Sequence, residues 1–239
     1  MTGAVIFAGG SGVRMNNGGI PKQFLELEGK PIIIYTLELF DHHPDINAIV
    51  VACLQDWIPY LQKLIDKFDI KKVRKIIPGG TTAQDSIRLG LEALSECMAA
   101  ESVVLIHDGV RPLITPHTIT ENIESVEKFG SCITCVSAKE TFIISDDTEG
   151  RLSIPDRKYC KLARAPQSFI LKDILWAHKR AEEEGKHHFI DCCSIMNHYG
   201  YKLHTIEGPE ENIKITTPTD FFLFKTLVNI RANNRIYGM

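Results

Sequence analysis

The sequence has no long apolar run. The longest, residues 48–54, falls far short of the roughly 18 residues that a membrane span needs, so no membrane partner is expected. The first residues, MTGAVIFAGG, have no basic segment ahead of the apolar one, which breaks at Gly9. They read as a first strand and not as an export signal. Clustered positive charge is also missing. Lys and Arg number 27 against 30 Asp and Glu, a net charge of −3. No nucleic-acid partner is expected, because such surfaces neutralise phosphates with grouped cations. Any anionic ligand must be held by a few placed cations. The seven cysteines are an odd number, and without an export signal they imply a reduced, cytoplasmic protein. Cys132-x-x-Cys135 lacks a second pair at zinc spacing, and an offset of three on a strand turns the two thiols to opposite faces. These cysteines, like Cys192-Cys193, read as small buried hydrophobes. Repeats, low-complexity tracts and linkers are absent. Disorder is excluded by a hydrophobic content of 44%.

What is present is an alternation. Strand-like runs at 3–7, 48–53, 73–77, 103–107 and 133–136 are interleaved with helical patterns at 31–42, 57–68, 82–94 and 118–129. This predicts an α/β fold, a Rossmann-like, doubly wound, mostly parallel sheet with helices on both faces. Ligands in such sheets bind at the carboxyl ends of the strands, which directs attention to the loops after Phe7, Cys53, Ile77 and His107. The rhythm breaks at about Ala138. Residues 138–160 hold Asp146-Asp147, Gly150 and Pro155 among short β-like pieces and are expected to form a hairpin arm. The α/β pattern then returns at 168–184, with a helix at 192–198, a strand at 202–206 and a last helix at 219–230. The whole chain, 1–239, is expected to be one domain carrying that arm.

The first loop reads Ala8-Gly9-Gly10-Ser11-Gly12-Val13-Arg14-Met15, and Pro21-Lys22-Gln23-Phe24 follows. Glycines let backbone N–H groups approach phosphates and line an anion nest. Arg14 and Lys22 add cations. A dinucleotide fingerprint fails because Met15 stands where its third glycine belongs. A phosphate loop of the Gly-Lys-Ser/Thr type fails because Gly29-Lys30 and Gly185-Lys186 continue to Pro31 and His187. Taken alone, the glycines also fit a purely structural turn.

The full string is more informative. A-G-G-x-G-x-R-M followed by P-K-Q resembles the signature of nucleotidyltransferases that activate sugar and polyol phosphates. Further segments agree with one subfamily: Gly79-Gly80 with Ser86, His107-Asp108-Gly109-Val110-Arg111-Pro112, Asp156-Arg157, Ala165-Pro166-Gln167, Phe189-Ile190-Asp191, and the E-N-I-K-I-T-T-P run at 211–218. Together they span about residues 4–220. The chain resembles the CTP-dependent cytidylyltransferases that activate methylerythritol 4-phosphate and ribitol 5-phosphate.

The resemblance implies the reaction and its parts. CTP and a polyol phosphate are the substrates and Mg²⁺ the cofactor. Catalysis consists of positioning and charge neutralisation at the α-phosphate and the leaving pyrophosphate. Arg14, Lys22 and Lys214 are then catalytic. Ala8, Gly9, Gly10, Ser11, Gly12, Gly80, Ser86 and Asp108 bind the nucleotide, and Asp108 also holds the metal, since a hard cation takes carboxylate and phosphate oxygens. Gly109, Arg111, Thr141, Arg157, Asp191 and Lys214 bind the acceptor, with Lys139 beside them. Arg157 is expected to serve the partner's site in a homodimer whose arms are exchanged. Each residue has a plainer reading too: Asp108 as a helix N-cap, Ser86 as a first-turn hydroxyl, Lys214 as a solvated edge lysine, His107 as a brace for its loop.

Three positions depart from the subfamily pattern. Ala83 stands where Arg is expected, Ala165 where Thr is expected, and Gly109 follows Asp108. None removes a charged catalytic group. The acceptor remains open between ribitol 5-phosphate and methylerythritol 4-phosphate. The Ile154-Pro155-x-Arg157 segment and the runs at 30–38 and 213–218 favour ribitol 5-phosphate. Outside this class stand a non-catalytic nucleotide-binding module and a dinucleotide oxidoreductase. Loss of Arg14, Lys22 or Asp108 would mark the former, and Met15 weakens the latter.

Overall fold

The computed structural model describes residues 1–10, 19–146 and 150–237. Strands and helices run in chain order as β1 (Thr2–Ala8), β2 (Glu26–Leu27), β3 (Lys30–Pro31), α1 (Ile32–Asp41), β4 (Ile46–Cys53), α2 (Ile58–Lys67), β5 (Val73–Pro78), α3 (Ala83–Ser95), β6 (Val103–Asp108), α4 (Pro116–Phe129) and β7 (Ser131–Ser137). They continue as β8 (Ile144–Asp146), β9 (Arg151–Ser153), β10 (Lys161–Ile170), α5 (Leu171–Glu183), α6 (Cys192–His198), β11 (Thr205–Glu207) and α7 (Pro218–Tyr237).

Seven strands form one sheet in the order β11-β7-β10-β6-β1-β4-β5. All run the same way except β10, which is antiparallel to both β6 and β7. The sheet is the mostly parallel, helix-flanked one that the alternation predicts. Continuous burial along β1, β4 and β6 follows from helices covering both faces. Side chains alternate between two cores. Ala4, Ile6, Ile49 and Val51 pack with α1, α2 and α4 on one face. Val5, Val50 and Val104 pack with α3, α5 and α6 on the other. Cys132 and Cys135 fall into opposite cores, as an offset of three on β7 requires.

Local chemistry sets the helix ends. Thr82 accepts from the Asp85 N–H while the Asp85 carboxylate accepts from the Thr82 N–H, a reciprocal box that opens α3. Thr115 caps α4, and Gly130, at φ 81°, closes it. Each such cap contributes about 1 kcal/mol. Two expectations shift at their boundaries. The strand expected at 202–206 is shorter and lies at Thr205–Glu207, the residues that pair with β7. The last helix extends past 230 to Tyr237.

β1 lies between β4 and β6, and the chain leaves it first toward β4 and later toward β6. This reversal is the switch point where open α/β sheets bind ligands. Residues 138–160 contain the antiparallel hairpin β8–β9, whose strands pair with one another and with no strand of the large sheet.

Close packing behind the switch point demands glycine at one helical position. A Cβ on Gly90 of α3 would lie 2.5 Å from Val5 Cγ1 on β1. Alanine is worth about 1 kcal/mol over glycine in a helix interior, yet overpacking a tight core costs about 1–3 kcal/mol. Gly90→Ala is therefore expected to lower the urea midpoint. A higher midpoint would show that α3 moves off β1 freely.

Candidate active site

The carboxyl ends of β1 and β6 sit side by side, with Phe7 in register with Asp108. A cleft opens over them. One part is lined by Ala8, Gly9, Gly10, Lys22, Gly80 and Ser86. An adjoining part is lined by Arg111, Arg164, Gln167 and Asp191. Phe7, Ala83, Asp108 and Lys214 line both and so form the junction.

The wall nearest β1 is built by crowding. The buried Gln23 side chain donates to the Ala8 carbonyl at 2.6 Å and ties the P-K-Q segment to the end of β1, which sets Lys22 at the cleft. The Ser86 hydroxyl accepts from the Gly80 N–H at 3.0 Å and donates to the Thr82 carbonyl at 2.9 Å. Around it, a Cβ on Gly79 or Gly9 would approach Ser86 Oγ to 3.0 or 3.2 Å, and one on Gly80 would strike Asp85 Cβ at 2.2 Å. The glycines are thus the residues that let three chain segments meet. Ser86 is buried and braces the loop through its hydroxyl. Ser11, Gly12 and Arg14 lie outside the described residues.

At the junction Asp108 is almost fully buried between two cations. Lys214 Nζ lies 2.6 Å from Oδ1, and Arg111 Nε lies 2.8 Å from Oδ2. Burial opposes the charge, but Lys214 and Arg111, through charge and hydrogen bonds, outweigh it and hold the carboxyl at about 2. Asp108 caps no helix; Thr115 caps the helix that follows. Its neighbour His107 is buried, with Nε2 3.1 Å from the Arg111 carbonyl. Burial lowers the imidazole to about 4, against the opposing pull of Asp108. His107 is therefore neutral at pH 7 and braces the turn that carries Arg111.

Three of the expected acceptor residues do not line this chain's cleft. Gly109 is buried: its N–H donates to the Phe7 carbonyl at 3.0 Å and its carbonyl accepts the Thr36 hydroxyl at 3.2 Å. With its N–H and carbonyl bonded within the protein and Ala8 Cβ 3.0 Å from where its own would be, Gly109 packs the loop beneath the site. Thr141 and Arg157 are exposed on the arm side, where Arg157 Nη1 donates to the Lys139 carbonyl at 2.7 Å. Lys139 pairs with Glu210. Asp191 does line the cleft, yet Oδ1 accepts from the Ser194 N–H and hydroxyl and Oδ2 accepts from Gln167. It caps α6. Residues 54–57, after β4, do not line the cleft among the described residues; the Cys53 carbonyl instead accepts the Gly79 N–H.

Sequence reasoning missed Arg164. Its guanidinium enters the cleft from β10 and donates to the carbonyls of Asn212 and Glu210. Nothing local marks it, since it stands among exposed strand residues. With it, four cations (Lys22, Arg111, Arg164, Lys214) and two carboxylates (Asp108, Asp191) line the cleft among the described residues, in a chain whose net charge is −3. The site suits strongly anionic ligands.

Residues 2–229 match the IspD family model, described as 2-C-methyl-D-erythritol 4-phosphate cytidylyltransferase. The chain belongs to this family. It is 51% identical, over the full length of both chains, to a ribitol-5-phosphate cytidylyltransferase of Vibrio parahaemolyticus. It is 39% identical to a 2-C-methyl-D-erythritol 4-phosphate cytidylyltransferase of Clostridium botulinum, over 92% of this chain and 93% of the other. Its fold matches the crystal structure of 4-diphosphocytidyl-2C-methyl-D-erythritol synthase from Anaerococcus prevotii with a TM-score of 0.81 at 26% identity, covering 95% and 96% of the two chains. The protein is thus a nucleotidyltransferase of the cytidylyltransferase type, and CTP is its nucleotide substrate. Among the described residues, no helix is long and apolar enough to cross a membrane.

The cytidylyltransferase holds two imidazoles neutral by burial. His178, like His107, is lowered to about 4, first by burial and then by the nearby Arg88 charge. The unfolded chain binds these protons near pH 6.5, so their contribution to stability is complete above pH 6.5 and falls away as pH drops toward 4. Urea unfolding at pH 7 and pH 5 should differ by on the order of 1–2 kcal/mol per imidazole. His178→Asn should reduce that difference. An unchanged difference would show that His178 is not held neutral.

Proposed function

We propose that this cytidylyltransferase transfers CMP from CTP to D-ribitol 5-phosphate, forming CDP-ribitol and pyrophosphate. The observation that carries the choice of acceptor is the 51% identity, end to end, with the ribitol-5-phosphate enzyme. A phosphate oxygen of the acceptor forms a bond to the α-phosphorus of CTP as the bond to the β-phosphate oxygen breaks. No strong base is needed, because the nucleophile is already ionised. That agrees with a cleft lined by no histidine among the described residues; His107 beneath it is neutral and committed to its loop.

Under this reading the backbone of Ala8, Gly9 and Gly10 cradles the triphosphate, and Lys22 with Arg14 neutralises charge on the α-phosphate and the leaving group. Gly80 and the Ser86-braced loop border the cytosine and ribose. Lys214 and Arg111 meet the acceptor at the junction. A divalent cation, Mg²⁺, fits Asp108. Its ionised carboxylate is the one acidic side chain lining the Gly-loop part of the cleft among the described residues, and Mg²⁺ takes one or two carboxylates and completes its shell with phosphate oxygens and water. When bound it screens the charge of the phosphates as pyrophosphate departs.

The arm completes the reading. Ile143, Ile144, Leu152, Ile154 and Tyr159 expose between 58% and 78% of their surface, and a lone two-stranded hairpin does not stabilise itself in water. A second copy of the chain is the proposed cover, a homodimer with exchanged arms. Arg157 and Thr141 then reach the partner's acceptor. The same reading makes this a cytoplasmic enzyme whose product supplies ribitol phosphate units to a cell-surface polymer.

Purified protein mixed with CTP, Mg²⁺ and ribitol 5-phosphate should release pyrophosphate far faster than with UTP, ATP or GTP, and faster than with methylerythritol 4-phosphate. Preference for methylerythritol 4-phosphate would transfer the enzyme to isoprenoid synthesis. Binding of CTP without release from either acceptor would favour the non-catalytic module.

Lys22→Ala is expected to lower kcat/KM by roughly 10²-fold, and Arg157→Ala to be inactive for lack of an acceptor anchor. Mixing the two under verified subunit exchange gives heterodimers with one doubly defective and one intact site. Activity should return in such mixtures. No recovery would place Arg157 in its own chain's site.

A further inference from the structure

The acceptor-side part of the cleft contains one cation to which neither motif nor chemistry has yet given a role. Arg164 Nη1 donates to the carbonyls of Asn212 at 2.9 Å and Glu210 at 3.3 Å. The same Asn212 carbonyl accepts Arg111 Nη1 at 2.9 Å. Two guanidinium groups therefore converge on one carbonyl oxygen, and burial together with the Arg111 charge disfavours the charged form of Arg164. No carboxylate lies within ion-pairing distance of Arg164 among the described residues, and the Glu210 carboxylate is engaged by Lys139. Nε and Nη2 of Arg164 have no protein partner there. An arginine carries five donors in a fixed fork, so anchoring by Nη1 leaves the other edge set in direction and unspent.

The geometry of the cleft says what that edge meets. The reacting phosphate of the acceptor must lie where the Gly-loop part and the acceptor part join, beside Asp108 and Lys214, because it attacks a phosphate cradled by Gly9, Gly10 and Lys22. Arg164 lines the acceptor part alone. The segment of an acceptor that extends there is its hydroxyl-bearing chain. Of the other polar side chains on that side, Gln167 and Asp191 bond each other and the first turn of α6. Next along β10 stands Ala165, which has no hydroxyl to offer and whose carbonyl is taken by Asn212 Nδ2 at 2.7 Å.

We propose that Arg164 is a specificity-determining residue for the acceptor: its Nε and Nη2 donate to hydroxyl oxygens on the polyol chain, at the end remote from the reacting phosphate. Asn212 is the positioning residue that aims it. The proposal rests on the acceptor assignment made above. It differs from a phosphate contact, which every phosphorylated acceptor would share, and from simple bracing of the Asn212 loop, which would affect CTP as well.

The test compares Arg164→Met and Arg164→Lys with the unaltered enzyme, using full-length dimeric protein. Ribitol 5-phosphate is the long acceptor. Glycerol 3-phosphate keeps the phosphate and lacks the remote hydroxyls, and it is followed as a slow substrate or as a competitive inhibitor. Arg164→Met should lower kcat/KM for ribitol 5-phosphate by about 10- to 100-fold, the span of a hydrogen bond to a charged group. Most of the loss should appear in the acceptor KM. The KM for CTP and the constant for glycerol 3-phosphate should move less than about twofold, within the scatter of a surface substitution. Arg164→Lys, which keeps the charge without the fork, should fall between. Equal losses with both acceptors, a rise in the KM for CTP, or no loss at all would each overturn the proposal. If the unaltered enzyme uses methylerythritol 4-phosphate and not ribitol 5-phosphate, the acceptor assignment fails on that result alone. Arg164 is then judged by the same comparison with methylerythritol 4-phosphate as the long acceptor.

Discussion

The site depends on one buried carboxylate. Asp108 stands at the carboxyl end of β6 and holds Arg111, three residues on, with one oxygen and Lys214, 106 residues on, with the other. A buried ion pair is weak evidence for stability, because desolvation offsets much of the attraction. What this one supplies is placement. Removing the carboxylate would leave two cations facing each other, so the ionised Asp108 helps to hold the segments that carry them. With its carboxyl at about 2, it is charged at neutral pH.

The sheet explains why those groups meet. Parallel strands end on the same side, and the reversal of strand order at β1 and β6 leaves a crevice there. Into it come the glycine-lined loop after β1, the Gly79-Gly80 turn after β5 and the Asp108 turn after β6. The antiparallel β10 brings Arg164 and Gln167 to the remaining side. Several glycines of the site earn their place by absence of bulk. Gly9 and Gly79 admit the Ser86 hydroxyl, Gly80 clears Asp85, and Gly109 clears Ala8.

Charge is distributed against the average. The chain carries a net charge of −3, yet the described cleft lining has four cations to two carboxylates. Local focusing of this sort attracts polyanions without making the whole surface sticky for nucleic acid. Exposed pairs outside the cleft, such as Arg180 with Glu184, contribute little to stability.

The sequence by itself determined the alternation of strands and helices, the mostly parallel sheet, the opposed cysteines of β7 and the chemical character of the glycine loop. All of these are carried by residues a few positions apart, so periodicity and turn chemistry express them. Tertiary structure alone decided the rest. Gly109, inside a matching motif, is buried and bonds Phe7 and Thr36 through its N–H and carbonyl. Asp191 spends its carboxylate on α6. Arg164, outside any motif, comes beside Arg111 because both bond the carbonyl of Asn212, 48 and 101 residues away along the chain. Such a meeting has no local signature. It exists only after the sheet has brought β6, β10 and the segment before α7 to one edge of the cleft.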